Sequence, residues 1–249
     1  MLSRSQLLGL YVLAFVVFFV ATMPARVALG WLGLGQAISY DDVKGSLFKA
    51  TLTGVAYKDM PVGNVTLEPA FFALLAGSFE GEIVISGGDT SGQFTVLEYN
   101  GSEIKIENGR LVTPVSFMSK GLPLSGTLSV TSPELTWRAG EGCVVGTFTL
   151  RTDMFAGALR ALRGGELMMS GDGRCADGQL TTKLDGENAA FRLEVSAVWL
   201  PGADLLADIT LTPNAASPMS EAEQMMLDFA GLHHEGDVWR GQVSVPTGL

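Results

Sequence analysis

The sequence has few of the side chains on which most enzyme chemistry depends. It contains two histidines and two cysteines in 249 residues. The histidines, His233 and His234, are adjacent, and neighbouring residues of a strand point to opposite faces, so they do not supply the convergent ligands of a zinc site. The sequence also lacks a CxxC pair, a nucleophile elbow, an HExxH helix and a phosphate-binding loop. We therefore expect no enzyme activity, no cofactor and no metal.

Charged residues are scarce at 17%, and the balance is acidic, with 16 Lys and Arg against 26 Asp and Glu and a net charge of −10. Such a surface argues against nucleic-acid binding, because phosphate contacts need cationic side chains. It also argues against adsorption to anionic lipid head groups. Several acids stand close together in the sequence, but spacing alone does not place any two of them in one cleft. These acids are Asp41 with Asp42, Glu80 with Glu82, and Asp204 with Asp208.

A long apolar run lies near the N-terminus. Residues 5–25 carry no charge, and a bilayer core is crossed by about 20 apolar residues. We predict a transmembrane helix over residues 7–25, preceded by a cytoplasmic tail, 1–6, in which Arg4 favours the inner side. The predicted anchor residues are Leu7, Leu8, Val12, Phe15, Phe18, Phe19 and, at the interface, Trp31. The alternative is a cleaved signal peptide, but its apolar region is usually shorter and cleavage after Ala25 would leave Met23 at position −3.

After a stalk at residues 26–40, the exported domain at 41–249 alternates apolar with polar residues. This period of two predicts strands with one face on a core, so the domain is mainly β and mostly antiparallel. The apolar positions are Phe48, Ala50, Leu52, Val65, Leu67, Ile104, Ile106, Leu128, Val130, Phe148, Leu150, Phe191, Leu193, Val195, Ile209, Leu211, Val243 and Val245. Turn signals at Asn100-Gly101, Asn108-Gly109 and Asp185-Gly186 predict hairpin connections.

Three short helices are expected to interrupt the strands. The first begins at Pro69 and ends at Gly77. The second runs from Met154 to Arg163, with Asp153 as its cap. The third runs from Glu221 to Ala230, where Ser220 and Glu223 form a capping box. We expect the first and third to cover one end of the sheet with their apolar faces, and a partner-binding helix is the alternative.

Cys143 and Cys175 are the two cysteines. An even number in an exported chain favours a disulfide, and a bridge between them would close a loop worth about 3–4 kcal/mol in the chain-entropy model. The alternative is two buried free thiols. A redox or metal role is not indicated, because no second cysteine or histidine stands at the spacing such sites use.

Several stretches in order resemble the type II secretion system protein N family of Gram-negative bacteria. The first is 43–50, followed by 62–69 and the turn 74–77. The segment 122–128 leads to Leu135-Thr136-Trp137 and Cys143, and 173–178 contains Cys175. A late helix then precedes 236–241. The sequence departs from the family pattern at Phe48, where a tryptophan is common, and at Lys49-Ala50.

This resemblance implies a cytoplasmic tail, an inner-membrane helix and a periplasmic β-rich domain without catalytic residues. The implied function is an accessory one in the export of folded periplasmic proteins across the outer membrane, through contacts with inner-membrane secretion proteins. The layout also resembles envelope lipid-handling proteins of the AsmA and lipopolysaccharide-export type, whose curved sheets form an open half-barrel or groove. Lipid binding or transfer is therefore the alternative function. The two alternatives predict a closed core or an open trough at Phe94, Leu128, Phe148, Phe191, Leu193 and Ile209.

Overall fold

The computed structural model describes residues 11, 15, 18, 22–27, 38–57, 60–70, 73, 78–99, 102–119, 122–160, 166–214 and 219–245. The strands are β1 (Ile38–Ser39), β2 (Asp42–Ser46), β3 (Lys49–Tyr57), β4 (Met60–Pro69), β5 (Phe79–Ser86), β6 (Ser91–Tyr99), β7 (Glu103–Ser119), β8 (Leu122–Arg138), β9 (Gly142–Thr152), β10 (Met169–Glu187), β11 (Phe191–Trp199), β12 (Leu205–Pro213), β13 (His233–Glu235) and β14 (Val238–Val245). The helices are α1 (Ala156–Arg160) and α2 (Glu221–Phe229).

The strands belong to one sheet with the hydrogen-bonded order β1-β3-β4-β5-β6-β7-β8-β9-β10-β11-β12-β14-β13, and β2 also pairs with β3. The pairs whose register is described are all antiparallel. The prediction of a mainly β, antiparallel fold is therefore confirmed. The chain divides into two compact units, Met1–Val96 and Leu97–Leu249.

In the first unit, residues 23–27, which include the end of the predicted anchor at 7–25, contact the β2–β3 hairpin. Ala25 is buried in a small core with Val43, Leu52 and Val55. The N–H of Leu47 donates to the carbonyl of Met23 at 3.2 Å. In addition, the Arg26 guanidinium lies 2.8 Å from the Asp42 carboxylate. Residues 23–27 are therefore part of this unit.

In the second unit, strand side chains alternate between a buried core and solvent. On β11 the side chains of Phe191, Leu193, Val195, Ala197 and Trp199 are all buried, whereas Arg192, Glu194 and Ser196 between them are exposed. Along β11 this is the period of two that the sequence predicts, with one face on the core. Residues from α1, α2, β10, β12 and β14 complete the same core.

Strand β10 folds back on itself. Asp177 and Gly178 have positive φ angles of 52° and 78°, as a two-residue hairpin turn requires. The first half of β10 pairs with β9 and the second half with β11. Across the fold, the hydroxyl of Thr182 donates to the carbonyl of Asp172 at 3.1 Å. A Cβ on Gly171 would collide with the backbone of Lys183, so a side chain does not fit where the two halves meet.

Two of the predicted turns are wrong. Asn108 and Gly109 lie within β7, where pairing with β8 continues from Glu107 to Gly109, and Asn108 takes a φ of 50° as a local irregularity. Asp185 and Gly186 lie within β10 and pair with β11. Pairing of the long strands overrides the local turn preference at both places. Asn100-Gly101 separates β6 from β7 in the chain, but these two residues lie outside the described part.

The predicted helices have mixed outcomes. Pro69 ends strand β4, opposite Gly81, so the first helix does not begin there. Ala73 is helical, and residues 71, 72 and 74–77 of this prediction lie outside the described residues. The second helix is confirmed for Ala156–Arg160, after a turn at Met154, and residues 161–163 of the prediction lie outside the described residues. The carboxylate of Asp153, expected to cap it, accepts a hydrogen bond from the Thr127 N–H at 2.6 Å and so connects the start of α1 to β8. The third helix is confirmed at Glu221–Phe229.

The predicted anchor falls mainly outside the described residues, which exclude Leu7, Leu8, Val12, Phe19 and Trp31. Tyr11, Phe15, Phe18 and Thr22 are described and helical, and the three aromatic side chains are exposed. Within the part of the chain that the structure describes, no helix has both the length and the apolar character needed to cross a membrane. The membrane span stays a prediction.

Candidate functional site

Helix α2 forms a candidate interaction site, and hydrogen-bonded caps stabilise both of its ends. At its start, the Glu223 carboxylate accepts hydrogen bonds from the backbone N–H and the hydroxyl of Ser220, both at 2.7 Å. This capping box is the predicted one. At its end, Gly231 has a φ of 80°, and the N–H of Leu232 donates to the carbonyl of Leu227 at 2.9 Å. Both ends of the helix are therefore satisfied without help from a partner.

The inner face of α2 packs on the core of the second unit. Leu227 and Ala230 are buried with Leu193, Leu211 and Trp239. The expectation that this helix covers part of the sheet with its apolar side is confirmed by these contacts. Packing of this kind is what makes a nine-residue helix stable, since an isolated helix of that length is marginal in water.

The packing under α2 is incomplete and leaves an apolar cavity of about 70 Å³. The described residues that line it are Leu124, Phe155, Ala158, Leu159, Leu193, Ile209, Leu211, Met226, Leu227, Ala230, Leu232 and Val243. Met226 is the one exposed residue among them, at 39%, so the lining of the cavity reaches the surface at this side chain. A space of this size without polar groups does not hold water favourably.

The outer face of α2 carries large apolar side chains in solvent. Phe229 is 78% exposed and Met225 is 67% exposed, and their i, i+4 spacing places them side by side on the helix. We call Met225, Met226 and Phe229 the α2 patch. The helix contains Glu221, Glu223 and Asp228 but no Lys or Arg, so the patch is bordered by negative charge alone on its own helix.

The disulfide between Cys143 and Cys175 is confirmed. It joins neighbouring strands β9 and β10, with the two Cα atoms 5.5 Å apart, and both cysteines are completely buried. Close to it in the pairing, Trp137 lies opposite Cys143 on β8. The Trp137 ring stacks on that of Trp199, with centroids 5.4 Å apart. The bridge therefore lies within the packed interior, where it fixes two strands.

A line of ion pairs crosses β6, β7 and β8. Arg138 lies 2.7 Å from both Glu103 and Glu141, and Lys105 lies 2.9 Å from Glu98 and 3.5 Å from Glu103. The hydrogen bond from Arg138 holds the pKa of Glu103 below its ordinary value. The hydrogen bond to Glu98 raises the pKa of Lys105. Both shifts favour the charged form, so these groups stay paired ions at neutral pH.

The histidines and the neighbouring acids noted in the sequence are involved in separate local contacts. His233 and His234 are exposed on the short strand β13, and the His234 ring lies 5.0 Å from that of Trp239. Asp204 accepts from the Ser244 hydroxyl at 3.0 Å and Asp208 from the Gln242 amide at 3.1 Å.

Two of the acids in the first unit also have partners: the Asp42 carboxylate accepts from the Arg26 guanidinium, and Glu82 accepts from the Gln93 amide. Among the described residues, no three His, Cys, Asp or Glu side chains are grouped so as to hold a metal ion. The sequence reasoning missed the exposed α2 patch, whose apolar residues surround the helix and so did not indicate which side faces solvent.

Comparison with known proteins identifies the family. A family model of the type II secretion system (T2SS), protein N, matches residues 36–241, which is most of the chain. Neither a curated protein nor a solved structure matches it significantly. The matched range includes both disulfide cysteines, the paired tryptophans and α2. The chain therefore belongs to the type II secretion system protein N family.

Proposed function

We propose that this protein is a non-enzymatic inner-membrane component of the type II secretion system, which acts in the export of folded periplasmic proteins through protein–protein contacts. The observation that carries the proposal is the family match over residues 36–241. The buried Cys143–Cys175 disulfide supports a periplasmic position for the β-rich domain, because structural disulfides persist in oxidising compartments.

The proposed inner-membrane position rests on the charge-free run at residues 5–25. The contacts of residues 23–27 with the β2–β3 hairpin support a short connection between this run and the folded domain. In this arrangement Arg4 stays in the cytoplasm, and the described strands lie on the other side of the membrane.

A role through contacts, without catalysis, is supported by how the ionisable groups are used. Among the described residues, the groups with shifted pKa values all belong to surface ion pairs: Glu103, Lys105 and Arg138 in the line across β6 to β8, and Lys49 with Glu68 in the first unit. Catalytic acids and bases are instead usually shifted toward neutrality within a cleft. The exposed α2 patch provides the kind of apolar surface with a polar border that protein interfaces use.

Lipid binding is the second candidate, and the core of the second unit weighs against it. Phe191 and Leu193 are buried in this core, and Ile209 packs against it. Phe148 is also buried, but it lines a separate hollow and is not part of this core. Leu128 is half-buried, and Phe94 belongs to the first unit. These contacts favour a closed core in the second unit. The apolar cavity under α2, of about 70 Å³, is small beside the 300–1,000 Å³ pockets typical of ligand sites. A wider hollow of about 840 Å³ in the second unit is lined by Asp172, Arg174 and Lys183 as well as by Phe148, so its wall carries charged groups that an acyl chain does not favour.

The test is purification of the full-length chain from its own membranes in mild detergent, with bound proteins and lipids both identified by mass spectrometry. We expect inner-membrane secretion components without stoichiometric lipid. About one phospholipid or lipopolysaccharide per chain, without secretion components, would overturn the proposal in favour of lipid handling. Deletion of the gene should also leave secreted enzymes in the periplasm, and re-expression should restore their export.

A further inference from the structure

We propose that α2 is a docking site for a basic protein segment that inserts one large apolar side chain beside Met226 into the cavity under the helix. The argument rests on the exposed patch, its charge and the cavity, and it does not depend on the secretion role. The proposed occupant is defined by chemistry: an apolar anchor residue with Lys or Arg within about one helical turn of it.

The first step is the exposure of the α2 patch. Capping and the inner face already stabilise α2, so neither Phe229 nor Met225 is needed to hold the helix in place. Phe229 is 78% exposed and Met225 is 67% exposed, so in the free protein both present apolar surface to water. Aromatic residues and methionine are enriched at interfaces, where they supply large contact area or adapt to different partners.

The second step is charge complementarity. Glu221 and Asp228 border the patch, and the carbonyl end of α2, which carries a partial negative charge, lies next to Phe229. The helix itself has no cation, and its last turn has no basic residue. In a chain with a net charge of −10, a partner that covers the patch gains from positive charge at its rim. The same charge disfavours docking on an anionic membrane surface.

The third step is the cavity. It lies immediately under α2, and its exposed lining residue is Met226, a member of the patch. Methionine has three flexible bonds and can move aside more readily than a branched residue. An apolar side chain that enters beside Met226 would fill space that is now empty and gain both burial and contacts. Interface anchors commonly bind in pockets of this kind.

The experiment places the photo-crosslinking residue p-benzoylphenylalanine at position 229 of the full-length chain in its own cells. The control position is 206, because Leu206 is exposed on β12 but lies next to buried Ala207 and so faces away from the core. We expect position 229 to give a protein adduct whose attached peptide contains Lys or Arg close to a large apolar residue, and position 206 not to give it.

Two further variants separate the charge from the cavity. Reversing the charge of the two acids that border the α2 patch, with Glu221→Lys and Asp228→Lys, should lower the adduct yield at position 229 by about tenfold or more. Ala158→Leu, which fills the cavity from α1 and leaves the outer face of α2 unchanged, should lower it similarly. Thermal unfolding of each variant shows whether the fold is retained.

The adduct can then be measured as a binding reaction. A synthetic peptide of the cross-linked segment should bind the purified full-length chain about tenfold more weakly after Phe229→Ser, whereas Leu206→Ser should leave its Kd nearly unchanged. An adduct to phospholipid alone, the same adduct at both positions, or no protein adduct would overturn the proposal. If Ala158→Leu folds but leaves the adduct yield at position 229 unchanged, the proposal that the partner inserts a side chain into the cavity is wrong.

Discussion

The ring of Phe148 on β9 lies over the backbone of Gly173 on β10, and the two residues are register partners. The approach is so close that a Cβ on Gly173 would collide with the ring. Phe148 is buried because the missing side chain opposite leaves room for it. This pair shows that an aromatic ring can cover a glycine in the middle of a sheet.

Gly173→Ala should destabilise the protein by about 1–3 kcal/mol, because the methyl group forces the Phe148 ring out of its place. The control is Gly157→Ala in α1, where a Cβ would meet nothing within 4 Å and alanine favours the helix. Urea unfolding of both variants measures the difference. Equal stability of the two variants would show that Phe148 can move without cost.

Replacement of both Cys143 and Cys175 by alanine should lower the free energy of unfolding by about 2–4 kcal/mol, because the unfolded chain loses a cross-link. The wild-type protein unfolded with and without a reducing agent provides the control. Both sulfurs are completely buried, so the native bridge should resist reduction until the protein unfolds. Rapid reduction of the folded protein would contradict this placement.

The stacked pair of tryptophans gives a further prediction. Among the described residues, the buried indole nitrogen of Trp199 has no hydrogen-bond partner, and an unpaired buried donor opposes folding. Trp199→Phe, which removes this donor and keeps a ring, should therefore cost little, within about 1 kcal/mol. Trp199→Ala should cost about 3–5 kcal/mol because it leaves a cavity against Trp137. Thermal unfolding distinguishes the two, and a Phe variant as unstable as the Ala variant would contradict the prediction.

The Glu103–Arg138 pair predicts a specific dependence on pH. Since the folded pKa of Glu103 is lowered from 4.5, its contribution to stability is present above the unfolded pKa and is lost as pH falls through the folded value. Arg138→Gln should raise the pKa of Glu103, measurable by NMR titration, and should destabilise the protein at pH 7 more than under strongly acidic conditions. The exposed Arg174→Gln serves as the matched control. A pKa of Glu103 unchanged by Arg138→Gln would contradict this assignment.

The fold could be predicted where one face of a strand is buried, because burial then repeats every second residue. Phe191, Leu193 and Val195 show this pattern in sequence and structure alike. The capping box at Ser220 could also be predicted, because it depends on two residues three positions apart. These features are local, and local physics is visible in a single sequence.

The errors arose where partners distant in the sequence decide the outcome. Asn108-Gly109 and Asp185-Gly186 have turn chemistry but lie within long paired strands, whereas Asp177-Gly178 has the same chemistry and does form a turn. The difference lies in the strands available for pairing on each side. The exposed side of α2 could not be predicted for a similar reason. Met225, Leu227 and Phe229 are all apolar, and only packing against the core decides which of them is buried.

From β7 to β12, each strand pairs with the strand that precedes it in the chain, and β10 adds a hairpin of its own. If the β-rich domain emerges from the membrane in chain order, starting next to the proposed anchor, each new strand therefore meets the edge of the strand that has already formed. Pairing between sequence neighbours closes only short loops and is kinetically favourable. During the proposed export, this part of the sheet can thus form one strand at a time, without a long stretch of unpaired strands that could misassemble.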